Sequence, residues 1–572
     1  AGVVNTVLKG NMTGGFLEGN WRASDGTSLY SYRISGGVGF DFAGGRGNLT
    51  LYGGYYHENG MPVTERAYAA DDDRTALLDG TDFEGDTQFN NRNTFGPYGQ
   101  FEILAPGAST PIGDDDFYLQ PGYFPNCALD FGGGICARAG STPTRDVRYN
   151  RNFGNNLISR KNRYNAMALL NYDVSDTLEA YFEGSYYRSE NRRNITPSAI
   201  LSAVPVGISR DAYYNPFGPV GSPSRLPGTA IDPDGADVIM ERYRFVDVGN
   251  RDVSVDKDTF RLVTGLRGNF GAWDFDTGLL YSEADTIDLA RNRVSLTLMQ
   301  QQINLATPDA YNPFNGGCLA DPGEGDCTPN AQAAIDPFRI DVFRKGGTTL
   351  ALADFKLSRD DLLALPGGNL GVATGIEWRR ETFYDDRDPR LDGTITSTDS
   401  VTGAFNGSDV AGSSPSPDTN GSRNVYSAFA ELFVPLVSPD MSIPLVDELN
   451  VQLAGRLEYF DDINETAAVP RVAASWTTVP GVTFRGAWSR GFRAPNLVQV
   501  NDDGTTRSNT NADYVICQAQ VQKGLVEDLG DCPRGGVISF RSGTENLVPE
   551  DSTSINLGIV LEPEFIPGLT LP

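Results

Sequence analysis

Between residues 449 and 460 the sequence reads LNVQLAGRLEYF, and its two faces ask for different surroundings. Alternate side chains of an extended chain point to opposite sides. Leu449, Val451, Leu453, Gly455, Leu457 and Tyr459 share one side, and Asn450, Gln452, Ala454, Arg456, Glu458 and Phe460 share the other. Burying Arg456 and Glu458 in a dry core would cost several kcal/mol unless they are paired. A strand with lipid on one face and a wet or filled lumen on the other meets both demands.

The same alternation dominates the chain, and helical periodicity is nearly absent. Leu178, Ala180, Phe182 and Tyr186 oppose Glu179, Tyr181 and Glu183; Phe260, Leu262 and Leu266 oppose Arg261 and Arg267. Trp273, Phe275, Leu279 and Tyr281 oppose Asp274 and Asp276, and Val482, Phe484 and Trp488 oppose Thr483, Arg485 and Ser489. The pattern predicts fourteen strands near 15–22, 32–42, 48–56, 163–174, 178–188, 258–268, 273–282, 349–358, 370–380, 424–436, 448–460, 470–478, 482–490 and 554–562, with a further one starting at the end. From the second strand onward, short links such as Ser175-Asp176-Thr177 and Val479-Pro480-Gly481 alternate with longer segments, the longest being 57–162, 189–257, 283–348, 381–423 and 491–553. Tight periplasmic turns and long extracellular loops give a transmembrane antiparallel β-barrel this asymmetry, whereas a soluble sandwich has no reason to sort its loops by alternate turn. The expected fold class is therefore all-β. The first strand should run outward and 554–562 back inward.

Composition narrows the partners. With 74 acidic against 46 basic residues the formal net charge is −28, which excludes a phosphate-tracking nucleic-acid binder. No run reaches the roughly 18 apolar residues of a membrane helix, and the opening AGVVNTVLKGN is no signal peptide. Six cysteines fall as three close pairs, Cys127/Cys136, Cys318/Cys327 and Cys517/Cys532, in polar links of the long class. Local pairing in such loops favours disulfides. Zinc is the rival, but the pairs lack CxxC spacing, and the only histidine, His57 at the start of a loop, is far from all of them. The acidic runs at 71–73, 114–116 and 232–237 read as solvated surface, with loose Ca²⁺ binding as the alternative, since none matches an EF-hand loop. No nucleophile elbow, P-loop or HExxH occurs. No catalytic residue, metal ligand or cofactor site is assigned, and an enzyme is not expected.

Three segments carry a family resemblance. WSRGFRAPNLV at 488–498 resembles the barrel of TonB-dependent outer-membrane receptors, whose strands typically lead into an RGFRAPN-like stretch. ENLVPEDSTSINLGIVLEP with FIPGLTL is similar to a downstream segment of that family, and AGVVNTVLKG resembles the last strand of its N-terminal plug domain. The repeated YNPFG (214–218) and YNPFN (311–315) are similar to loops of its large receptors. The resemblance implies energised import of a scarce ligand (siderophore, vitamin, oligosaccharide or similar) across the Gram-negative outer membrane. Its implied partners are outer-membrane lipid and a TonB-type energy-coupling protein of the inner membrane. It implies residues 1–10 as the tail of a plug and 11–572 as an incomplete barrel. About seven strands would be missing if the whole has about 22. A passive porin-like barrel and a secreted β-rich binding protein or adhesin are the alternatives.

Site expectations follow. Arg493, Ala494, Pro495 and Asn496 form either a rim element supporting plug or loop, or a strand end in which Pro495 stops pairing and Arg493 meets a lumenal carboxylate. Arg456, Glu458, Arg471 and Arg485 should line the lumen, either docking the plug through charged hydrogen bonds or forming a hydrated wall. Tyr213, Tyr214, Phe217, Tyr311 and Phe314 either grip a ligand or pack within the loops. A sheet that never closes leaves two edges of unpaired backbone that lipid cannot satisfy. The 572-residue chain alone should therefore give no heat-modifiable, protease-resistant monomer on a gel.

Overall fold

The computed structural model describes residues 8–104, 112, 115–141, 143, 147–227, 232–316, 330–529, 532, 534–562, 566 and 568–571. Fourteen antiparallel strands form one sheet, each paired with its sequence neighbour in that sheet. They are β1 Gly14–Ala23, β2 Tyr30–Phe42, β3 Gly47–Glu58, β4 Arg160–Ser175, β5 Leu178–Ile195, β6 Arg251–Phe270 and β7 Trp273–Val294. The series continues with β8 Arg339–Leu365, β9 Gly368–Arg387, β10 Thr419–Val437, β11 Glu448–Phe460, β12 Glu465–Val479, β13 Val482–Arg493 and β14 Glu550–Leu561. Each of the fourteen expected strands is present, and most are longer than the alternation suggests: 349–358 lies inside a strand of 27 residues. The apolar pattern marks only the lipid-covered middle, roughly 9–11 residues, while the polar ends continue the ladder beyond it.

Register shows what each face needs. The row Leu266–Thr277–Phe355–Ile376–Ala428–Leu457–Ala468 crosses seven strands on one face. Ile376 is 63% exposed, Leu457 55% and Ile555 69%, so no protein covers this belt. Trp378, Tyr426 and Tyr459 follow one another at its upper margin, and Trp476 faces Phe484 at its lower one. Apolar middle and aromatic margins are the lipid face of a barrel wall. None of the described helices is long and apolar enough to cross a membrane. Two-residue links 176–177, 271–272, 366–367 and 480–481 close one end of the wall. Gly271 and Gly481 take φ of 61° and 83° there, a region costly for residues with a Cβ.

At the other end the loops do what the sequence hides. They read as Gly/Pro/Asn/Asp-rich connections with no domain of their own, yet those after β3, β5, β7 and β9 fold together into a cap. Its sheet runs in the order Ala199–Ile200, Asp237–Arg244, Gln100–Leu104, Asp116–Pro121, Ile135–Ala139, Leu129–Gly132, with Val206–Ile208 also on Asp237–Arg244. Under it lies a core containing Phe101, Phe117, Phe217, Phe245, Tyr311 and Phe338, all 0% exposed. A helix, Leu296–Ile303, adds Leu296, Met299 and Ile303. Two buried carboxylates fasten the loop after β9 to it. Asp409 accepts from Ser295 Oγ (2.6 Å) and Thr297 N (2.8 Å), and Asp399 accepts from Gly207 N (2.7 Å) and Gln300 Nε2 (2.7 Å).

Candidate ligand-binding mouth and inner wall

The two YNPF repeats are one device used twice. Phe217 N donates to Asn215 Oδ1 and Phe314 N to Asn312 Oδ1, both at 2.9 Å, so an Asx turn ahead of proline drives each phenylalanine into the cap. Phe314 packs tilted against Phe101 at 4.8 Å, and Phe217 sits edge-on to Phe117 at 5.8 Å. Tyr311 donates to Asp247 Oδ1 (2.9 Å) and shares a contact with the Tyr243 hydroxyl. Burial holds both phenols well above their ordinary range. Phe217 and Tyr311 are fully buried in the cap core, and Phe314 beside them is 5% exposed. Tyr213 and Tyr214 are half-buried at the margin, with Tyr214 donating to Pro308 O (3.0 Å).

The cap holds two carboxyls against their preference. Burial, then the neighbouring carboxylates, pushes Glu102 and Glu241 above the usual range. A raised acid stabilises the fold below its ordinary pKa and loses that contribution as pH rises through the raised value. Glu241→Gln should therefore make the cap more resistant to proteolysis at pH 7.5 and leave it unchanged at pH 4, as timed digestion of the intact receptor would show.

Several carboxylates of the acidic runs are partnered within the chain. Asp71 pairs with Arg92 and Asp72 with Arg151, Asp73 accepts from Thr75 N, and Asp237 pairs with Arg210. Asp114 lies outside the described residues, as do Cys318 and Cys327. Cys127–Cys136 and Cys517–Cys532 are disulfides, so these four sulfurs ligate no metal. His57 belongs to β3 and does not open a loop: its Nδ1 meets Asn162 Oδ1 at 2.8 Å and its ring lies 5.1 Å from Tyr32.

On the inner wall, Arg379 reaches Glu377 (3.1 Å), Glu381 (2.9 Å) and Glu458 (3.2 Å). Arg456 closes the ring through Glu458 (2.5 Å) and Glu377 (3.3 Å). Arg456 and Glu458 thus form a network with β9 that the sequence does not reveal. Arg471 and Arg485 occupy the inward register of β12 and β13, facing Ala454 and Ser475, and stay exposed and apart from that network.

The RAPN segment carries the chain from the end of β13 into a short helix. Arg493 ends β13 and lies 3.9 Å from Glu550, its exposed neighbour on β14. Ala494 and Pro495 lead out of the strand, and Asn496 caps the helix Leu497–Asn501 in a reciprocal box with Gln499 (2.8 and 2.9 Å). Asn-x-x-Gln after a proline is a helix-start signal that sequence reasoning missed. Val500 packs on Val425 and Phe460, while Val498, Asp502 and Thr505 turn to a cavity of about 630 Å³. Across it, Asp385 takes both arms of Arg344 (2.7 and 2.9 Å) and one of Arg387 (2.8 Å). Asn496→Ala should cost about 1 kcal/mol of local stability, seen as faster hydrogen exchange confined to the rim helix and the cavity wall beside it.

A family model described as "TonB dependent receptor-like, beta-barrel" matches residues 209–570. No curated protein matches the sequence. Among solved structures, a mutant of the ferric enterobactin receptor PfeA from Pseudomonas aeruginosa is similar at 13% identity and TM-score 0.48, over 98% of this chain and 52% of that one. The siderophore receptor PirA from Acinetobacter baumannii is similar at 11% identity and TM-score 0.45, over 97% and 52%. The outer membrane transporter YddB from Escherichia coli is similar at 8% identity and TM-score 0.39, over 93% and 52%. The chain spans about half the length of each of these three structures.

Proposed function

The chain belongs to the TonB-dependent receptor-like β-barrel family, and on that premise we propose that it is the wall and outer gate of an energised importer. Its place is the Gram-negative outer membrane, where the apolar belt meets lipid. The observation carrying the transport reading is the contrast between that belt and the charged inner wall, whose loop end lines a 630 Å³ cavity together with Ser416, Pro417 and the rim residues Val498, Asp502 and Thr505. A scarce solute would bind at this mouth and leave inward when a TonB-type coupling protein pulls a plug aside. No covalent step is needed.

Of the segment 1–10 expected as the tail of such a plug, residues 8–10 are described, and they and the Asn11–Met12 stretch that follows lie against β3. Tyr52 donates to Lys9 O (2.5 Å), Met12 N to Thr50 Oγ1 (3.1 Å) and Asn48 Nδ2 to Met12 O (3.0 Å), all on the inward register of β3. A Cβ at Gly39 would overlap the Met12 carbonyl, so this close approach needs glycine.

The test is accumulation of ferric siderophores, cyanocobalamin and maltodextrins by cells making the full-length receptor, with and without the coupling protein. Uptake of one class that collapses without the coupling protein is expected. Equal uptake in both strains for every class would refute the reading.

A further inference from the structure

The registers of β1 to β9 place one row of residues on the inward face: Asn20, Arg33, Tyr56, Arg163, Ser189, Lys257, Thr286, Gly346, Asp385. It lies at the loop end of the wall, since Arg33 is the fourth residue of β2 and Tyr56 the third from the end of β3. Arg33 and Arg163 flank Tyr56, their guanidinium carbons 5.8 and 5.6 Å from its ring centre. Such stacking orients a guanidinium and leaves its N–H edge free for a planar anion.

Few carboxylates stand near these cations: Glu58, which pairs with Lys161 (2.8 Å) and accepts from the Tyr56 hydroxyl (2.9 Å), also feels the Arg163 charge. Arg33, Arg163 and Lys257 are exposed, and no ion pair holds any of them among the described residues. The row above, on β1 to β6, reads Arg22, Ser31, Glu58, Lys161, Asn191, Val255, and the row below Glu18, Ser35, Gly54, Asn165, Tyr187, Thr259. Over β1 to β6 these three rows therefore carry five cations against two carboxylates, in a chain whose acids outnumber its bases by 74 to 46. Two cavities adjoin the row. One of about 470 Å³ is lined by Arg22, Arg33 and Tyr56, and the 630 Å³ cavity is lined by Lys257, Thr286 and Asp385.

We propose that Arg33 and Arg163, braced by Tyr56 and followed by Lys257, form a binding track for a solute bearing several carboxylate or phosphate charges. A local excess of fixed cations in an acidic protein concentrates polyanions along the wall and leaves neutral solutes unaffected. Two guanidiniums on one ring supply the paired N–H donors that such groups accept. The inference deepens the importer reading by naming the charge of its cargo, and its test is equilibrium binding alone, so it can fail or stand independently of energised uptake.

Tripolyphosphate and citrate, with maltotriose as neutral probe, would be titrated calorimetrically into the full-length receptor in detergent. A polyanion should bind with an affinity that falls as salt rises. The Arg33→Gln/Arg163→Gln pair should weaken it by roughly tenfold or more, as expected for lost charge-assisted contacts. Arg471→Gln/Arg485→Gln, on the far part of the wall, should leave it near the parent value, and both doubles should keep the parent's heat-modifiable gel shift. Failure of both polyanions to bind, an unchanged affinity in the first double variant, or tighter binding of maltotriose would each overturn the proposal.

Discussion

Replacing Phe101 by alanine should destabilise the loop cap by about 3–5 kcal/mol, the usual cost of emptying a fully buried aromatic site. Phe101 is 0% exposed and touches partners from different loops: Phe117 at 5.4 Å and Phe314 at 4.8 Å. The strand Gln100–Leu104 joins Asp116–Pro121 to Asp237–Arg244, so its loss unties the loop after β3 from the loop after β5. Because the barrel wall has its own ladder, the damage should stay local. Proteolysis of the intact receptor should cut within 95–250 much faster, while the heat-modifiable shift persists. Unchanged loop cleavage would mean that the core does not hold the cap together.

The second large effect concerns Arg423, 3% exposed at the top of β10, which pairs with Asp462 at 3.1 Å and lies over the Phe460 ring at 5.8 Å. Burial raises the Asp462 carboxyl and the Arg423 charge counters it. Removing one partner strands a buried charge, at a cost of about 3–5 kcal/mol, whereas replacing both by apolar side chains is often neutral. Arg423→Met alone should therefore loosen the rim helix above it, and Arg423→Met with Asp462→Leu should restore much of the loss. Hydrogen exchange over 423–426 and 497–501 reads this coupling. Additive losses would show that the pair is not a unit.

The wall was legible because lipid imposes a strict rule: Leu453, Leu457 and Tyr459 must point outward, and Arg456 and Glu458 must not. The cap obeys no such rule. Its strands run from two to eight residues, too short to show a period, and pair across loops, as Met240 does with Phe101. Aromatics in polar surroundings, Phe217 and Phe314 among them, resemble exposed binding residues until the Asx turns that bury them are seen. The charged ring of Arg379 and Arg456 and the row through Arg33, Tyr56 and Arg163 were hidden for another reason. Each member is unremarkable in its own strand, and only register places them side by side. His57 was assigned one step too far along, because β3 runs two residues past its apolar stretch.

A roof woven from four loops has consequences for whatever meets the cell from outside. Along Asp237–Arg244 the chain is flanked by Gln100–Leu104 on one side and by Ala199–Ile200 and Val206–Ile208 on the other. Neighbours on that surface come from distant parts of the sequence. An antiserum raised against any one synthetic loop peptide should stain denatured protein and miss living cells, whereas antibodies elicited by whole cells should lose their epitope on boiling. A phage or bacteriocin that grips this roof would read its tertiary shape. Escape mutants would then arise in all four loops and in the aromatic residues beneath them.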